Sequence, residues 1–255
     1  MAPATWRLLD DLDAGIDAEG QMAADAALLA DVAGGAPPAL RLYRWVPPAL
    51  SLGRFQPDTD VDRAACARLG VPVVRRPTGG RGLLHGGDLT YAVAMPRPAG
   101  AAGRVDAVYE LLAAGLVAGL ARLGVEAAVA RHDGPSGPVC FAGQQGADLR
   151  VGERKLCGSA QVRQGGAVLQ HGSILLERLP FDETSLMTAP PEVGAVSSLM
   201  TAPPEVGAVT SAELQAATVT LAELGAPTGP HTVAAALVEG FAAALDLQFT
   251  SRVET

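Results

Sequence analysis

Lysine is almost missing from this chain. Of its 19 basic side chains, 18 are arginine and one is Lys155. Arginine serves as a surface cation but cannot offer a neutral amine or readily shift its pKa, so a lone lysine is either a chance survivor or an amine in use. Cysteine is scarce too. Cys66, Cys140 and Cys157 are an odd number without zinc-ligand spacing, which argues against a disulfide framework and for thiols in a reducing compartment. No uncharged apolar run is long enough to cross a bilayer; residues 111–121 are too few and end against Glu110 and Arg122. The opening MAPATWRLLDDLDAG lacks a basic stretch leading into an apolar one, so a secretory signal is not expected. Positive charge is in deficit, and a net charge of −8 speaks against a general nucleic-acid binder. The expectation is a cytoplasmic protein with no membrane or nucleic-acid partner, no metal and no cofactor.

What the chain does have is apolar surface to bury. Apolar residues make up 49% and charged residues 18% of 255, which suits one ordinary domain with a sizeable core. Alternation and turn residues predict strands over 6–10, 40–45, 49–53, 71–75, 89–95, 126–130, 147–151, 155–162 and 167–176. Helical spacing predicts helices over 21–32, 60–69, 104–123 and 231–245, with Gly70 and Gly124 as stops. Strands outnumber helices and do not alternate regularly with them, so an α+β fold is favoured over a doubly wound sheet. Residues 185–197 (SLMTAPPEVGAVS) recur at 198–210 (SLMTAPPEVGAVT), a unit too short for a solenoid. The duplication reads as a lengthened surface connection.

Three segments carry chemistry. In RRPTGGRGLLHGGDLTY (75–91), Gly79, Gly80 and Gly82 let backbone approach a ligand, while Arg75, Arg76 and Arg81 add local positive charge. A glycine-rich hairpin with solvated arginines is the plainer reading, and the segment is neither a Walker A sequence nor GxGxxG. PVCF (138–141) precedes Lys155 in ERKLCGSAQ (153–161). A thiolate is a strong nucleophile and its thioester stays reactive toward an amine; a nearby ammonium or amine raises the thiolate fraction. Alone, Cys140 reads better as a small buried hydrophobe. In LQHGSI (169–174), His171 alone reads as a satisfied core histidine rather than a pocket residue.

Read in order, these segments resemble the lipoate-protein ligase and octanoyltransferase superfamily, and within it the cysteine-dependent octanoyl-carrier-protein:protein octanoyltransferases. Trp6-Arg7, MAADAALL (22–29), LRLYRWVPPALSLGRFQ (40–56), RRPTGGRGLLHGGDLTY, VCF, KLCGSAQVRQGG and LQHGSILL carry the likeness. The resemblance implies an α+β fold shared with biotin-protein ligases, as a single catalytic domain over 1–255 with a core of about 35–245 and the duplication at 185–210. It implies an acyl thioester on Cys140, with Lys155 lowering that thiol's pKa. Arg75, Thr78, Gly79, Gly80, His85, Gly158, Ser159 and His171 would line the acyl tunnel and its mouth. The implied donor is octanoyl-acyl carrier protein, and the implied acceptor is a lipoyl domain such as the glycine-cleavage H protein. Burying most of an eight-carbon tail at ~0.8 kcal/mol per CH₂ favours medium over very short chains.

The family's acidic residue after His85 is Gly86 here, with Asp88 two places on; Ala142 replaces a frequent aspartate, and Cys157 a usual alanine. If 155–162 is a strand, Cys157 faces the Lys155 side and competes as nucleophile. An ATP-dependent lipoate-protein ligase is the nearest alternative. It would need no cysteine, usually carries Asn-Asp near 138–140, and commonly has an accessory domain for which this chain is short. An octanoyl amidotransferase between lipoyl domains, or a non-catalytic acyl-protein binder, are the others.

Overall fold

The computed structural model describes residues 3–130, 148–188 and 210–251. Two sheets form its frame. In chain order, β1 (Ala4–Asp11), α1 (Ala18–Ala33) and β2 (Ala39–Tyr43) are followed by β3 (Ala49–Leu52), α2 (Arg63–Leu69), β4 (Val73–Arg75) and β5 (Leu83–His85). Next come β6 (Asp88–Pro96), α3 (Val105–Arg122), β7 (Ala128–Val129), β8 (Leu149–Val151), β9 (Arg154–Gln164) and β10 (Ala167–Leu175). The chain closes with α4 (Ser211–Ala217), α5 (Pro230–Leu245) and β11 (Leu247–Ser251). The large mixed sheet runs β11-β1-β2-β6-β10-β9-β8-β7, and the small one β4-β3-β5. The α+β expectation holds.

Local chemistry sets the ends of these elements. Asp17 caps α1 by accepting from the Gly20 amide, and Asp62 caps α2 through Ala65. Pro230, which has no amide hydrogen to leave unsatisfied, opens α5.

Each face of the large sheet has its own core. On one side Leu40, Leu42, Tyr91, Val93, Val168 and Ile174 pack beneath α3 and α5. On the other, Tyr43, Ala92, Ala94 and Leu169 pack against Met22, Leu28 and Leu29 of α1. Adjacent residues of one strand reach opposite clusters, as strand geometry demands. A third cluster, including Leu50, Leu52, Cys66, Leu84 and Leu186, holds the small sheet to α2.

The glycine-rich segment is not a hairpin. β4 pairs parallel with β3, and β5 pairs antiparallel with the other edge of β3. The turn between them therefore crosses the end of β3, while β6 joins the large sheet. A Cβ on Gly53 would stand 2.0 Å from the Gly80 carbonyl oxygen, and Gly80 has φ +98, so both positions require glycine.

Candidate active site

Between the sheets and α1 lies a cavity of about 30 Å³, lined by Met22, Tyr43, Trp45, Leu83, His85 and His171 among others. It has room for roughly one water. Met22 and Leu83 are the apolar groups best able to move, methionine being unbranched and adaptable.

Two chains of hydrogen bonds fix the polar wall. Asp25 Oδ2 accepts from His171 Nδ1 at 2.7 Å, and Thr78 Oγ1 lies 2.7 Å from His171 Nε2. Asp88 Oδ2 lies 2.9 Å from His85 Nδ1, and Ser51 Oγ lies 2.8 Å from His85 Nε2. A carboxylate on Nδ1–H leaves Nε2 of a neutral ring to accept from the hydroxyl, so each aspartate sets the tautomer and aim of its imidazole. Trp45 stacks on His85 with ring centroids 4.2 Å apart. Asp88 thus supplies a carboxylate to His85 although Gly86 follows it directly. Burial pushes the Asp88 carboxyl up, but His85 and the Gly86 amide outweigh burial and hold it below the ordinary carboxylate value.

Asp25 is itself the centre of a buried knot. Arg41 Nη1 donates to it at 2.8 Å and Tyr43 Oη at 2.9 Å, while Arg41 Nε reaches Asp11 at 2.6 Å. Arg41 is 1% exposed, so these partners replace the water it has lost.

Lys155 lies at 1% exposure, its Nζ 2.8 Å from Asp148 Oδ2. Asp148 Oδ1 accepts from the backbone amide of Ser159 at 3.3 Å, and Ser159 lines the cavity. One carboxylate therefore ties the only lysine to the cavity wall.

Of the residues singled out in the sequence, His85, Gly158, Ser159 and His171 line the cavity, and Thr78 joins it through His171. Gly79 and Gly80 form the turn above Arg76, whose guanidinium bonds the Gly79 carbonyl. Arg75 is not brought to the cavity. It donates instead to the carbonyls of Gly53, Arg54 and Gln56 and to Asp58; its neighbour Arg76 lines the cavity. Cys140 falls in 131–147, outside the described residues, as does 189–209 of the duplication. Sequence reasoning missed Asp25, Arg41, Ser51 and Asp148.

The expected alignment of Cys157 with Lys155 fails at one residue. Leu149 lies opposite Cys157 but Arg150 opposite Lys155, which leaves Leu156 as an extra residue in β9. A bulge interrupts alternation, and Cys157 packs with Leu149, Leu156 and Ile174 in the core under α3 and α5.

The model of the lipoyl protein ligase A/B catalytic domain matches residues 17–190, about two thirds of the chain. The chain belongs to that family. Among curated relatives, the octanoyltransferase LipM of Kyrpidia tusciae is 39% identical over 252 residues, covering 94% of this chain and 87% of its own. That of Symbiobacterium thermophilum is 39% identical over 256 residues, covering 96% and 88%. Among solved structures, lipoate-protein ligase A bound with ATP superposes with a TM-score of 0.75 at 22% identity, over 100% of this chain and 90% of that one. A bi-partite lipoate protein ligase from Thermoplasma acidophilum gives 0.68 at 21%, over 100% and 88%. No helix among the described residues is long and apolar enough to cross a membrane, and no cluster among them suits a metal ion.

Proposed function

We propose that this chain, as a single catalytic domain, moves an octanoyl group from acyl carrier protein to a lysine of a lipoyl domain through a thioester on Cys140. Octanoyl transfer is the activity in the names of its relatives. The observation that carries the mechanism is the burial of the one lysine at 1% exposure, beside Asp148. Taking an ammonium out of water costs several kcal/mol even after relaxation. At Arg41 the chain holds a buried structural cation with arginine, so an amine at position 155 supports a chemical use.

Cys140 stands eight residues before Asp148 in the chain. Its thiolate attacks the carrier thioester carbonyl; the C–S bond to Cys140 forms, the C–S bond to the carrier breaks, and the proton that Cys140 gave up passes to the carrier thiolate. Lys155 favours the thiolate by its charge, with Asp148 fixing the amine's position. The acceptor lysine then attacks the Cys140 thioester as a neutral amine. Its proton passes to the departing thiolate by way of Lys155, and the amide is complete. Thr78, Gly79, Gly80, His85, Gly158, Ser159 and His171 hold the acyl group, and Arg75 supports the loop over the mouth. The acyl donor arrives activated, so ATP has no step to drive.

The test is transfer from octanoyl-acyl carrier protein to a lipoyl domain, followed by mass of the acceptor. Octanoylation without ATP is expected. Acceptor modification only with ATP and free octanoate would make the chain a ligase instead.

A further inference from the structure

Beside the small cavity lies a larger one of about 330 Å³, within the range of about 300–1,000 Å³ that small-molecule sites occupy. Leu83 lines both. The larger cavity is framed by β5, the end of β10, the connection that follows it and α4. Glu177, Pro180, Ser185, Ser211 and Gln215 on its wall are exposed, so it opens to solvent, while Leu84, Glu183, Leu214 and Thr218 are buried. Thr218 pairs with the backbone of Lys155, and the Val219 amide donates to the Lys155 carbonyl at 2.9 Å.

Glu183 gives this cavity a preference. It is 7% exposed and lines the space. Among the described residues, the one donor that reaches its carboxyl is its own backbone amide. The neighbouring charges do not balance it. Asp182 and Asp88 both oppose its ionisation. Arg178, the nearby cation, is committed elsewhere, its Nε donating to Glu223 at 2.9 Å and its Nη1 to Thr218 at 2.7 Å. A carboxylate out of water attracts a cation far more strongly than one in it, and a charge-assisted hydrogen bond supplies the partner that burial removed. Because the backbone amide already occupies part of the carboxylate, the two-oxygen edge that a guanidinium fork requires is not free, and a compact ammonium suits it better. Leu83, Leu175, Leu179, Phe181 and Leu214 offer apolar contact for a stem behind that head.

We infer that this second cavity is a site for a primary alkylammonium, its head on Glu183 and its stem against the leucines and Phe181. The site does not depend on the transfer reading above, but the source of its ligand does. Under that reading the lysine that receives the acyl group has this chemistry, and the shared Leu83 and the Thr218–Lys155 pairing set the cavity next to the smaller one and to Lys155. A free amine of the same form is the other source.

The experiment titrates n-pentylammonium chloride and, separately, 1-pentanol onto wild type and Glu183→Gln. Calorimetry is run at pH 8, above the value of about 7 to which burial pushes the Glu183 carboxyl. Wild type is expected to bind the ammonium about tenfold or more tightly than the alcohol, and Glu183→Gln to lose that preference while keeping its affinity for the alcohol. Binding of neither probe, equal binding of both, or a preference that survives in Glu183→Gln overturns the site. The source is read from octanoyl transfer to a lipoyl domain in the presence of pentylammonium. Inhibition relieved by more lipoyl domain assigns the site to the acceptor's lysine, and inhibition that is not relieved assigns it to a free amine. If no acyl group is transferred at all, the transfer reading has failed, and the titration still decides the site.

Discussion

At the scale of single residues, Lys155, the imidazoles and Asp88 were legible, while Asp25, Arg41 and Asp148 were not. His85 and His171 sit in compact motifs, and Lys155 stands out by composition. Asp88 is three residues from His85, but Asp25 is 146 residues from His171, a pairing no local pattern reveals. Asp148 is nearer to Lys155, and the signal for it was available, since a buried lone ammonium requires a carboxylate. A further carboxyl, Glu183, is buried at 7% exposure near the cavity of about 330 Å³ that Leu83, Leu179 and Phe181 help to line. Burial pushes it up to about 7, with Asp182 adding to the rise and Arg178 opposing it. A carboxyl whose folded pKa lies above its unfolded one stabilises the fold most below about 4.5 and loses that contribution as pH rises to about 7. Glu183→Gln, a mimic of the protonated form, is therefore expected to raise Tm at pH 8, by at most about 3 kcal/mol of stability. At pH 4 it should change Tm little. An equal shift at both pH values in thermal melts would remove Glu183 from this account.

Among the elements, long periodic segments were read closely and short or interrupted ones were not. α3 and α5 appear within a residue of their expected ends because their apolar positions repeat at helical spacing over 18 and 16 residues. Three elements escaped. β5 has three residues, hidden in a glycine-rich stretch, and β11 follows α5 with only Asp246 between them. α4 has seven, although its Thr210–Glu213 capping box is a readable start signal. The bulge at Leu156 also escaped, because alternation in sequence says nothing of an extra residue facing the partner strand. α3 and α5 approach through glycine: a Cβ on Gly240 would stand 2.2 Å from the Gly119 nitrogen and 2.6 Å from the Gly115 oxygen. Gly240→Ala improves helix propensity by about 1 kcal/mol, but separating two packed helices costs about 1–3 kcal/mol. The expected result in urea unfolding is a net loss of stability. A gain would mean the helices do not pack this closely.

On the scale of the whole molecule, the cavity lies where the two sheets meet. The large sheet contributes Tyr43, Thr90 and His171, the small one Ser51, Leu83 and His85, and α1 contributes Met22, with Asp25 behind His171. The division into two sheets was invisible in the sequence, since β4, β5 and β6 follow one another without a break in pattern. Among the described residues, the segments 75–91, 158–160 and 169–174 nevertheless converge on one cavity. The account's central claim is that acyl transfer passes through Cys140. Intact-protein mass spectrometry after mixing with octanoyl-acyl carrier protein tests it most directly. One added octanoyl unit, released by hydroxylamine and absent from Cys140→Ala, is the predicted result. An octanoyl adduct that persists in Cys140→Ala and disappears in Cys157→Ala would contradict it.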